Sequence, residues 1–123
     1  MDKNFERGRQ GEARLHKWLE ERNVPFRTEC DLKGKFPKTP DFLLGKVMDY
    51  NGSKVHWIES KASFGSPEEI RRNVRTQLKA YTELFGSGVV LYWFGYIEDL
   101  DMKMPEGIIL ADKGFLKHMD RNA

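Results

Sequence analysis

An acidic and a basic side chain close one apolar segment of this sequence, residues 55–63 (VHWIESKAS). Successive side chains of a β-strand alternate between its two faces, so Glu59 and Lys61 share one face. The same alternation places the apolar Val55 and Trp57 on that face. Charged groups are rarely found beside a core without a partner or a function. Glu59 and Lys61 are therefore the first candidates for chemistry.

A predicted hairpin brings a second carboxylate to this pair. The dipeptide Asn-Gly at residues 51–52 best suits a two-residue antiparallel turn, which folds residues 41–50 back along residues 53–62. Asp41 can then lie beside Glu59. Two adjacent carboxylates repel each other unless a cation lies between them.

The residue types around Asp41 and Glu59 suit the hydrolysis of a phosphodiester. Carboxylates with no His or Cys nearby are hard oxygen ligands and favour Mg²⁺ or Mn²⁺. The backbone carbonyl of Ser60 could supply a further oxygen. Such an ion lowers the pKa of a bound water and neutralises charge that builds on a phosphate, and Lys61 would stabilise the same charge or orient the water.

The elements that must position these residues follow from hydrophobic periodicity and turn residues. The predicted order is αβββαβ plus a short strand, which gives an α/β fold with a central mixed sheet of four to five strands flanked by helices. No glycine-rich phosphate loop follows a strand, which argues against nucleotide binding of the Rossmann or P-loop kind. The predicted helices are residues 4–23 and 66–85, with a final turn or two after residue 112, and the predicted strands are residues 24–30, 39–50, 54–63, 89–94 and 108–110.

The first helix places an acid where a core residue is expected. Two glycines, Gly8 and Gly11, each cost this helix about 1 kcal/mol relative to alanine. We therefore expect another group to approach the backbone closely beside Glu12. The helical stripe that contains Glu12 also contains Phe5, Gly8, Leu15 and Leu19.

The second helix has three start signals: Ser66 as the cap, Pro67 at the first helical position, and Glu69 in place to complete a capping box. Gln77 flanks its apolar stripe, which consists of Ile70, Val74, Leu78, Tyr81 and Phe85.

Basic residues are concentrated on the two helices, although the net charge of the chain is only +2. Arg71, Arg75 and Lys79 are four residues apart, as in a stripe that follows a phosphate backbone, but a solvated helix surface has the same pattern. The candidate nucleic-acid contacts on the helices are Arg7, Arg9, Arg71, Arg72, Arg75 and Lys79.

Composition limits the class of protein further. The 123 residues, 39% hydrophobic and 33% charged, fit one domain, and no apolar run approaches the roughly 18 residues of a membrane span. One cysteine cannot form an internal disulfide, and the first residues lack a signal-like segment. We therefore expect an intracellular, cytoplasmic protein without membrane contact, associated with the nucleoid if the source is prokaryotic.

Other reactive residue types are assigned to structural roles. Cys30 is expected to be a small buried residue, since no base is identified beside it. The histidines lack zinc-ligand spacing and are expected to be structural or exposed: His16, His56 and His118. The aromatic residues within predicted strands are expected to belong to the core rather than to stack on bases: Trp57, Trp93 and Phe94.

Four short motifs together resemble the metal-dependent PD-(D/E)XK nucleases. Pro40-Asp41 followed by Glu59-Ser60-Lys61 resembles their central signature, residues 8–12 (GRQGE) their first-helix glutamate motif, and residues 77–81 (QLKAY) their glutamine-and-tyrosine motif. The resemblance implies a restriction-endonuclease-like fold and a bound Mg²⁺, with Mn²⁺ as a substitute. The implied metal ligands are Asp41, Glu59, Ser60 and Glu12, the catalytic set adds Lys61 and Gln77, and Tyr81 joins the nucleic-acid contacts.

A narrower resemblance covers roughly residues 37–110. Residues 37–44 (PKTPDFLL), 56–65 (HWIESKASFG) and 85–95 (FGSGVVLYWFG) resemble the TPD family, the family of the codanin-interacting nuclease. Such stretches are far more specific than the nuclease signature alone.

The resemblance implies a Mg²⁺-dependent endonuclease that hydrolyses DNA, with junctions or flaps as candidate substrates. A homodimer is expected, because a lone domain of this size has little surface with which to grip DNA. Two alternatives on the same fold stay open. A non-catalytic nucleic-acid-binding module would bind without metal in a salt-sensitive manner, and a protein-interaction subunit would use its charges only to stabilise the sheet.

Overall fold

The computed structural model describes residues 3–99 and 101–121, and the side chains from residue 6 onwards within those ranges. The chain forms an α/β fold around a five-stranded sheet. The helices are α1 (Lys3–Glu21), α2 (Glu29–Leu32), α3 (Pro67–Asn73), α4 (Lys79–Phe85) and α5 (Gly114–Arg121), with a π-helical segment, Val74–Leu78, joining α3 to α4. The strands are β1 (Phe26–Thr28), β2 (Phe42–Tyr50), β3 (Ser53–Lys61), β4 (Gly88–Tyr92) and β5 (Ile108–Ala111).

The sheet is mixed, as the sequence predicts. Its strand order is β1-β2-β3-β4-β5, so β3 lies at the centre. The first three strands pair antiparallel, whereas β4 and β5 run parallel to β3. The C-terminal end of β3 pairs with β4 over residues 58–61 and with β2 at Trp57 and Ile58, which makes it a rigid platform for a site.

Helices cover both faces of the sheet and enclose two apolar clusters. On one face, Leu15 and Leu19 of α1 and Phe115 of α5 pack over the sheet. On the other face, Ile70 of α3 and Tyr81 of α4 pack over it. Each helix therefore buries a stripe of the kind that an amphipathic pattern predicts.

The prediction that Val55 and Trp57 share one face of β3 is wrong. Val55 packs with Ile58 in the cluster that contains α1, whereas Trp57 lies in the cluster that contains α3 and α4. An irregularity in the β2–β3 pairing between Leu43 and Met48 separates the two halves of the strand, because β2 carries extra residues there. Glu59 and Lys61 remain on the Trp57 side.

The same irregularity sets the position of Asp41. Next to the turn, Tyr50 pairs with Ser53, and that register continued would place Asp41 opposite Ala62 rather than beside Glu59, where the sequence predicts it. Beyond the irregularity the pairing is instead Phe42 with Ile58. Asp41, one residue before Phe42, therefore lies opposite Glu59. The predicted hairpin is confirmed, and its register shifts by three positions between the turn and the end that carries Asp41.

Two connections differ from the predicted boundaries. The strand expected over residues 24–30 is shorter, because a helical turn, α2, begins directly after Thr28. The Thr28 amide and hydroxyl both donate to the Asp31 carboxylate, at 2.8 and 3.1 Å, and the bond to the amide satisfies a donor at the start of this helical turn. Cys30 in this turn is exposed rather than buried.

The start of the second predicted helix is confirmed at Ser66, whose Oγ accepts a hydrogen bond from the Glu69 amide at 3.2 Å. The expected second half of the capping box is not formed as predicted. The Ser66 amide donates to the carbonyl oxygen of Phe64, and the Glu69 carboxylate accepts from Arg72. A nearby guanidinium is a stronger partner for a carboxylate than a neutral amide is.

The last elements follow the prediction with one exception. β5 and the C-terminal helix α5 are confirmed, and β4 is an interior strand. However, β4 ends at Tyr92, so that Trp93 is only partly buried and Phe94 is 55% exposed. The expectation that both belong to the core is wrong for Phe94, whereas Trp93 packs against the core from a partly buried position, because β4 ends two residues before the apolar run does. Within the described residues, no helix is long and apolar enough to cross a membrane.

Candidate active site

Asp41 and Glu59 are locked together at the C-terminal end of β3. The Asp41 amide donates to Oε1 of Glu59 at 2.9 Å, and the Ser60 amide donates to Oδ2 of Asp41 at 2.8 Å. Each residue therefore uses its carboxylate to bind the backbone of the other segment. The predicted juxtaposition of the two acids is confirmed.

Glu59 is 3% exposed and has two partners from the α3–α4 face of the sheet. Its Oε2 accepts a hydrogen bond from the Tyr81 hydroxyl at 3.1 Å and lies 3.6 Å from Nζ of Lys61. Tyr81 is itself 3% exposed. Its expected place among the nucleic-acid contacts is therefore wrong, because the phenol is buried beneath the site, where it orients Glu59.

Gln77 reaches the site through the π-helical segment Val74–Leu78. The Lys61 ammonium donates to Oε1 of Gln77, which joins the second helix to the end of β3. A π-helical turn adds a residue to the helix and re-aims the side chains around it, and such turns are frequent at functional sites. Sequence periodicity gave no signal of this turn, because the apolar stripe passes through it without interruption.

Glu12 of α1 lies at the site, but it does not occupy the core position that the sequence predicts. The residue is exposed, and its carboxyl interacts with that of Asp41. Gly11, its neighbour, is the residue that faces the sheet and is buried. The predicted stripe is thus rotated by one position, which points Glu12 along the surface towards Asp41.

The three acids hold their protons more tightly than ordinary carboxyl groups do. Burial and the nearby Glu59 charge raise the pKa of Asp41 to about 9. Burial also raises the pKa of Glu59, which Lys61 opposes. The pKa of Glu12 is raised because packed neighbours desolvate its carboxyl, although the residue as a whole stays exposed, and because Glu29 is close. Ionising all three at neutral pH requires compensating positive charge.

The carboxylate oxygens of Asp41 and Glu59 fit Mg²⁺ better than they fit a metal that needs three or more side-chain ligands. In residues 3–99 and 101–121, no group of three or more His, Cys, Asp or Glu side chains is arranged to hold a metal ion. Mg²⁺ keeps several water ligands and is held by one or two carboxylates, which Asp41 and Glu59 can supply. Ser60 donates its amide towards Asp41, and the carbonyl of an extended residue points to the same strand edge as its amide.

An open cavity of about 470 Å³ gives access to two of the acids. Glu12 and Asp41 line it together with Arg9 and Lys17 of α1 and the exposed Cys30. His16 lies on the same wall and hydrogen-bonds to Glu20 at 3.0 Å, so it is an exposed surface residue as expected. Basic side chains beside accessible acids are suited to a phosphate that must approach a carboxylate site.

The expected basic stripe on the second helix is partly neutralised. Arg71 pairs with Asp99 at 3.1 Å and Arg72 with Glu69 at 2.5 Å. Arg75 and Lys79 are exposed. Arg7 of α1 instead lies over the Phe94 ring, with Cζ 5.5 Å from the ring centroid.

Trp93 and Gly11 also contribute to the site: the sequence predicts a close approach at Gly11 but assigns Trp93 to the core. The Trp93 indole donates to Oγ of Ser60 at 2.8 Å, and its backbone amide donates to the carbonyl of Lys61 at 3.0 Å. A Cβ on Gly11 would come within 2.5 Å of that indole nitrogen. The predicted close approach to α1 is confirmed at Gly11, whereas Gly8 has nothing within 4 Å.

A matched pair of glycine substitutions tests this contact. Gly8→Ala is expected to stabilise the fold by up to about 1 kcal/mol, because it restores helix propensity in open space. Gly11→Ala is expected to lose that gain and to destabilise by about 1–3 kcal/mol, because it pushes Trp93 from Ser60. Urea unfolding followed by circular dichroism measures both, and equal stabilities for the two variants would contradict the contact.

Comparison with known proteins places the chain in a family. The family model described as "Protein of unknown function TPD sequence-motif" matches residues 2–114, nearly the whole chain. The chain belongs to the TPD family. The predicted TPD resemblance is therefore confirmed.

Several relatives of this TPD protein are named nucleases. "CDAN1-interacting nuclease 1" of Xenopus laevis is 42% identical over 106 residues, and that of Homo sapiens is 40% identical over 104 residues. These matches cover 85% and 84% of the chain but only 35% and 37% of the relatives, so the chain spans about a third of their length. Their name also refers to an interaction with CDAN1, which is a property of those proteins. No solved structure matches the chain.

Proposed function

We propose that this TPD protein is a Mg²⁺-dependent nuclease that hydrolyses phosphodiester bonds in DNA. The observation that carries the proposal is the convergence of Asp41, Glu59 and Lys61 at one end of the central strand. The nuclease name of the relatives supports the reaction class. Mn²⁺ is proposed to substitute for Mg²⁺, since both favour oxygen ligands.

Asp41, Glu59 and the Ser60 carbonyl would hold the ion, with Glu12 contributing an oxygen or ordering a water beside it. When bound, the ion supplies positive charge that stabilises the phosphate in the transition state and acidifies a water. In the reaction, water adds to phosphorus and one P–O ester bond breaks, leaving a phosphate monoester and a hydroxyl group. The chain's own acids fix where that phosphate can lie.

Lys61 is the group that meets the substrate. Its ammonium lies 3.6 Å from Glu59 and is held by Gln77, so it has a defined position beside the metal ligands. A cation fixed in advance stabilises negative charge on a phosphate without reorganising during the reaction. Gln77 accordingly acts as a positioning residue, because it sets the place of the ammonium.

The proposal also covers the polymer that is cut, the assembly and the location of the protein. We propose DNA as the polymer, with flaps or junctions as candidate structures, and a homodimer as the active assembly. A cytoplasmic location follows from that substrate if the source is prokaryotic. Arg9 and Lys17, which line the cavity beside Glu12, are proposed to contact phosphates.

A panel of substrates tests the function directly. The purified chain is incubated with flap, junction, duplex and single-stranded DNA in Mg²⁺, in Mn²⁺ and in EDTA, and with the corresponding RNA strand. We expect cleavage of at least one DNA substrate that requires the metal and is lost in Asp41→Asn. Undiminished cleavage in EDTA or in Asp41→Asn would refute the proposal, as would inactivity on the whole panel.

Tyr81→Phe tests the support beneath Glu59. The variant removes the hydroxyl that binds Oε2 but keeps the ring, whose centroid lies 5.3 Å from that of Trp57. We expect a loss of roughly tenfold in metal affinity or cleavage rate, because partners of a metal ligand orient it. Tyr96→Phe, which removes a long hydrogen bond to Leu110, is the control and should be neutral. Equal rates for the two variants would contradict the role of Tyr81.

A further inference from the structure

An apolar surface lies beside the site at the end of the sheet. Five large hydrophobic residues are exposed among the described side chains, and three of them come from two adjoining segments: Phe64, Phe94 and Ile97. These segments are joined by a bridge between Gly65 and Tyr96. Exposed large apolar side chains on adjoining segments indicate a surface that can bind a ligand.

Two hollows flank the Phe94 ring. They have volumes of about 300 and 510 Å³ and share Trp93, Phe94 and Lys113 as lining residues. The first also contains Arg7 and Arg14, and the second contains Lys117. The surface therefore alternates aromatic faces with positive charges.

The charges are arranged around the rings rather than neutralised beside them. Arg14 lies over Trp93, with Cζ 5.1 Å from the ring centroid, and Arg7 lies over Phe94. The one acid of the two hollows, Asp112, accepts a hydrogen bond from the Gly114 amide at 2.8 Å. The net charge of the lining residues is therefore positive, which suits a polyanion that also carries flat apolar groups.

Trp93 connects this surface to the proposed metal site. Its indole donates to Ser60, and its backbone amide donates to the Lys61 carbonyl. Ser60 stands between Glu59 and Lys61 in the sequence, so Trp93 contacts the segment that carries both proposed catalytic residues. Ala62, which follows Lys61, lines the first hollow. The surface therefore borders the C-terminal end of β3 on the face that carries α1, and a strand resting on it would reach Glu59 and Lys61, which lie on the opposite face, around that end of the sheet.

We propose that this surface, consisting of Trp93, Phe94, Arg7, Arg14, Lys113 and Lys117, binds single-stranded DNA by base stacking on Phe94 and phosphate contacts to the basic side chains. The proposal deepens the proposed function and rests on it for the choice of polymer. Bases of a duplex are stacked on each other and hide their faces, so a protruding ring selects unpaired nucleotides. The substrate accordingly includes a single-stranded arm next to the cut.

Binding is measured without cleavage, in EDTA, so that it is independent of nuclease activity. The probes are a fluorescein-labelled 12-mer of thymidylate and a blunt 12-base-pair duplex, followed by fluorescence anisotropy. The variants are Phe94→Leu, which keeps apolar bulk but removes the ring face, and Phe94→Trp, which keeps it. Arg14→Gln tests the charge, and Leu84→Ala, an exposed apolar residue of α4, is the matched control.

The wild type is expected to bind the 12-mer more tightly than the duplex. Phe94→Leu should weaken 12-mer binding by about tenfold, within the usual range for one stacked base, whereas Phe94→Trp and Leu84→Ala should leave it unchanged. Arg14→Gln should weaken binding and lower its salt dependence. Circular dichroism confirms that the variants are folded.

Three results would overturn the proposal: no binding of the 12-mer, equal binding by Phe94→Leu and the wild type, or a preference for the duplex. Cleavage is assayed separately on the substrate panel. Binding that depends on Phe94 in a protein that cleaves no substrate would refute the proposed nuclease function and support the proposed surface. Metal-dependent cleavage without any effect of Phe94 on binding would support the nuclease function and refute the surface.

Discussion

Lys61→Ala is expected to lower the rate of DNA cleavage by about 10²- to 10³-fold while leaving a folded protein that still binds metal. Removing one fixed group that stabilises transition-state charge has an effect of this size. The Lys61 ammonium is held between Glu59 and Gln77, so no other described cation stands at that position to replace it. Single-turnover cleavage rates at saturating Mg²⁺ measure the loss.

Lys54→Ala is the matched control for this variant. Lys54 lies on the same strand at its opposite end, where it pairs with Asp49 at 3.3 Å on an exposed hairpin. Exposed ion pairs of this kind contribute little, so the control should cleave at the wild-type rate. If Lys61→Ala were to cleave as fast as Lys54→Ala, the pair formed by Lys61 and Glu59 would be a structural ion pair, as one of the sequence alternatives holds.

Asp41→Asn is expected to stabilise the metal-free protein at pH 8. The folded chain raises the pKa of Asp41 from 3.8 to about 9, chiefly through burial. The unfolded chain releases this proton near pH 4, whereas the folded chain keeps it until about pH 9, so stability contributed by this group is present at low pH and is lost as pH rises between those values. Each pKa unit corresponds to about 1.4 kcal/mol.

The expected gain for Asp41→Asn is on the order of a few kcal/mol at pH 8, or roughly 10 °C in melting temperature, and it should vanish near pH 4. Asparagine retains an acceptor for the Ser60 amide, so the backbone contact survives. Mg²⁺ should stabilise the wild type at pH 8 and have a much smaller effect on the variant. Melting curves in EDTA and in Mg²⁺ from pH 4 to pH 9 test these expectations.

Asp49→Asn provides a control of opposite sign. The pKa of Asp49 is lowered, first by the hydrogen bond that it accepts from the Gly52 amide, so its ionised form favours the folded state above pH 4. Its replacement should therefore destabilise slightly at neutral pH. A stability of Asp41→Asn that falls with pH as steeply as that of the wild type would contradict the assignment of the raised pKa.

The sequence by itself determined the elements and the identities of the central acids. The stripe of the second helix and the turn at residues 51–52 are local patterns, and local patterns report which face of an element is buried. On α1 the buried face lies one position away from the predicted stripe. The turn placed Asp41 and Glu59 on one hairpin. The mixed sheet followed, because a tight turn makes neighbours antiparallel and a helical crossover makes them parallel.

Tertiary structure decided which side chains reach the site. The three-position shift in the β2–β3 register moves Asp41 from Ala62 to Glu59, and the π-helical turn directs Gln77 to Lys61. Both insert residues into an otherwise regular element while the apolar pattern continues across the insertion, so neither leaves a periodic signal in the sequence.

The exposure of Phe94 was likewise beyond the sequence, because this side chain lies just past the end of β4. Tyr81 and Phe94 are both aromatic residues in apolar runs, yet one lies beneath Glu59 and the other stands in solvent. Hydrophobicity indicates that a side chain favours burial, whereas the point at which a strand leaves the sheet decides whether any neighbour is there to bury it. The acid and base that close β3 became a site because packing brought Asp41, Gln77 and Tyr81 to them.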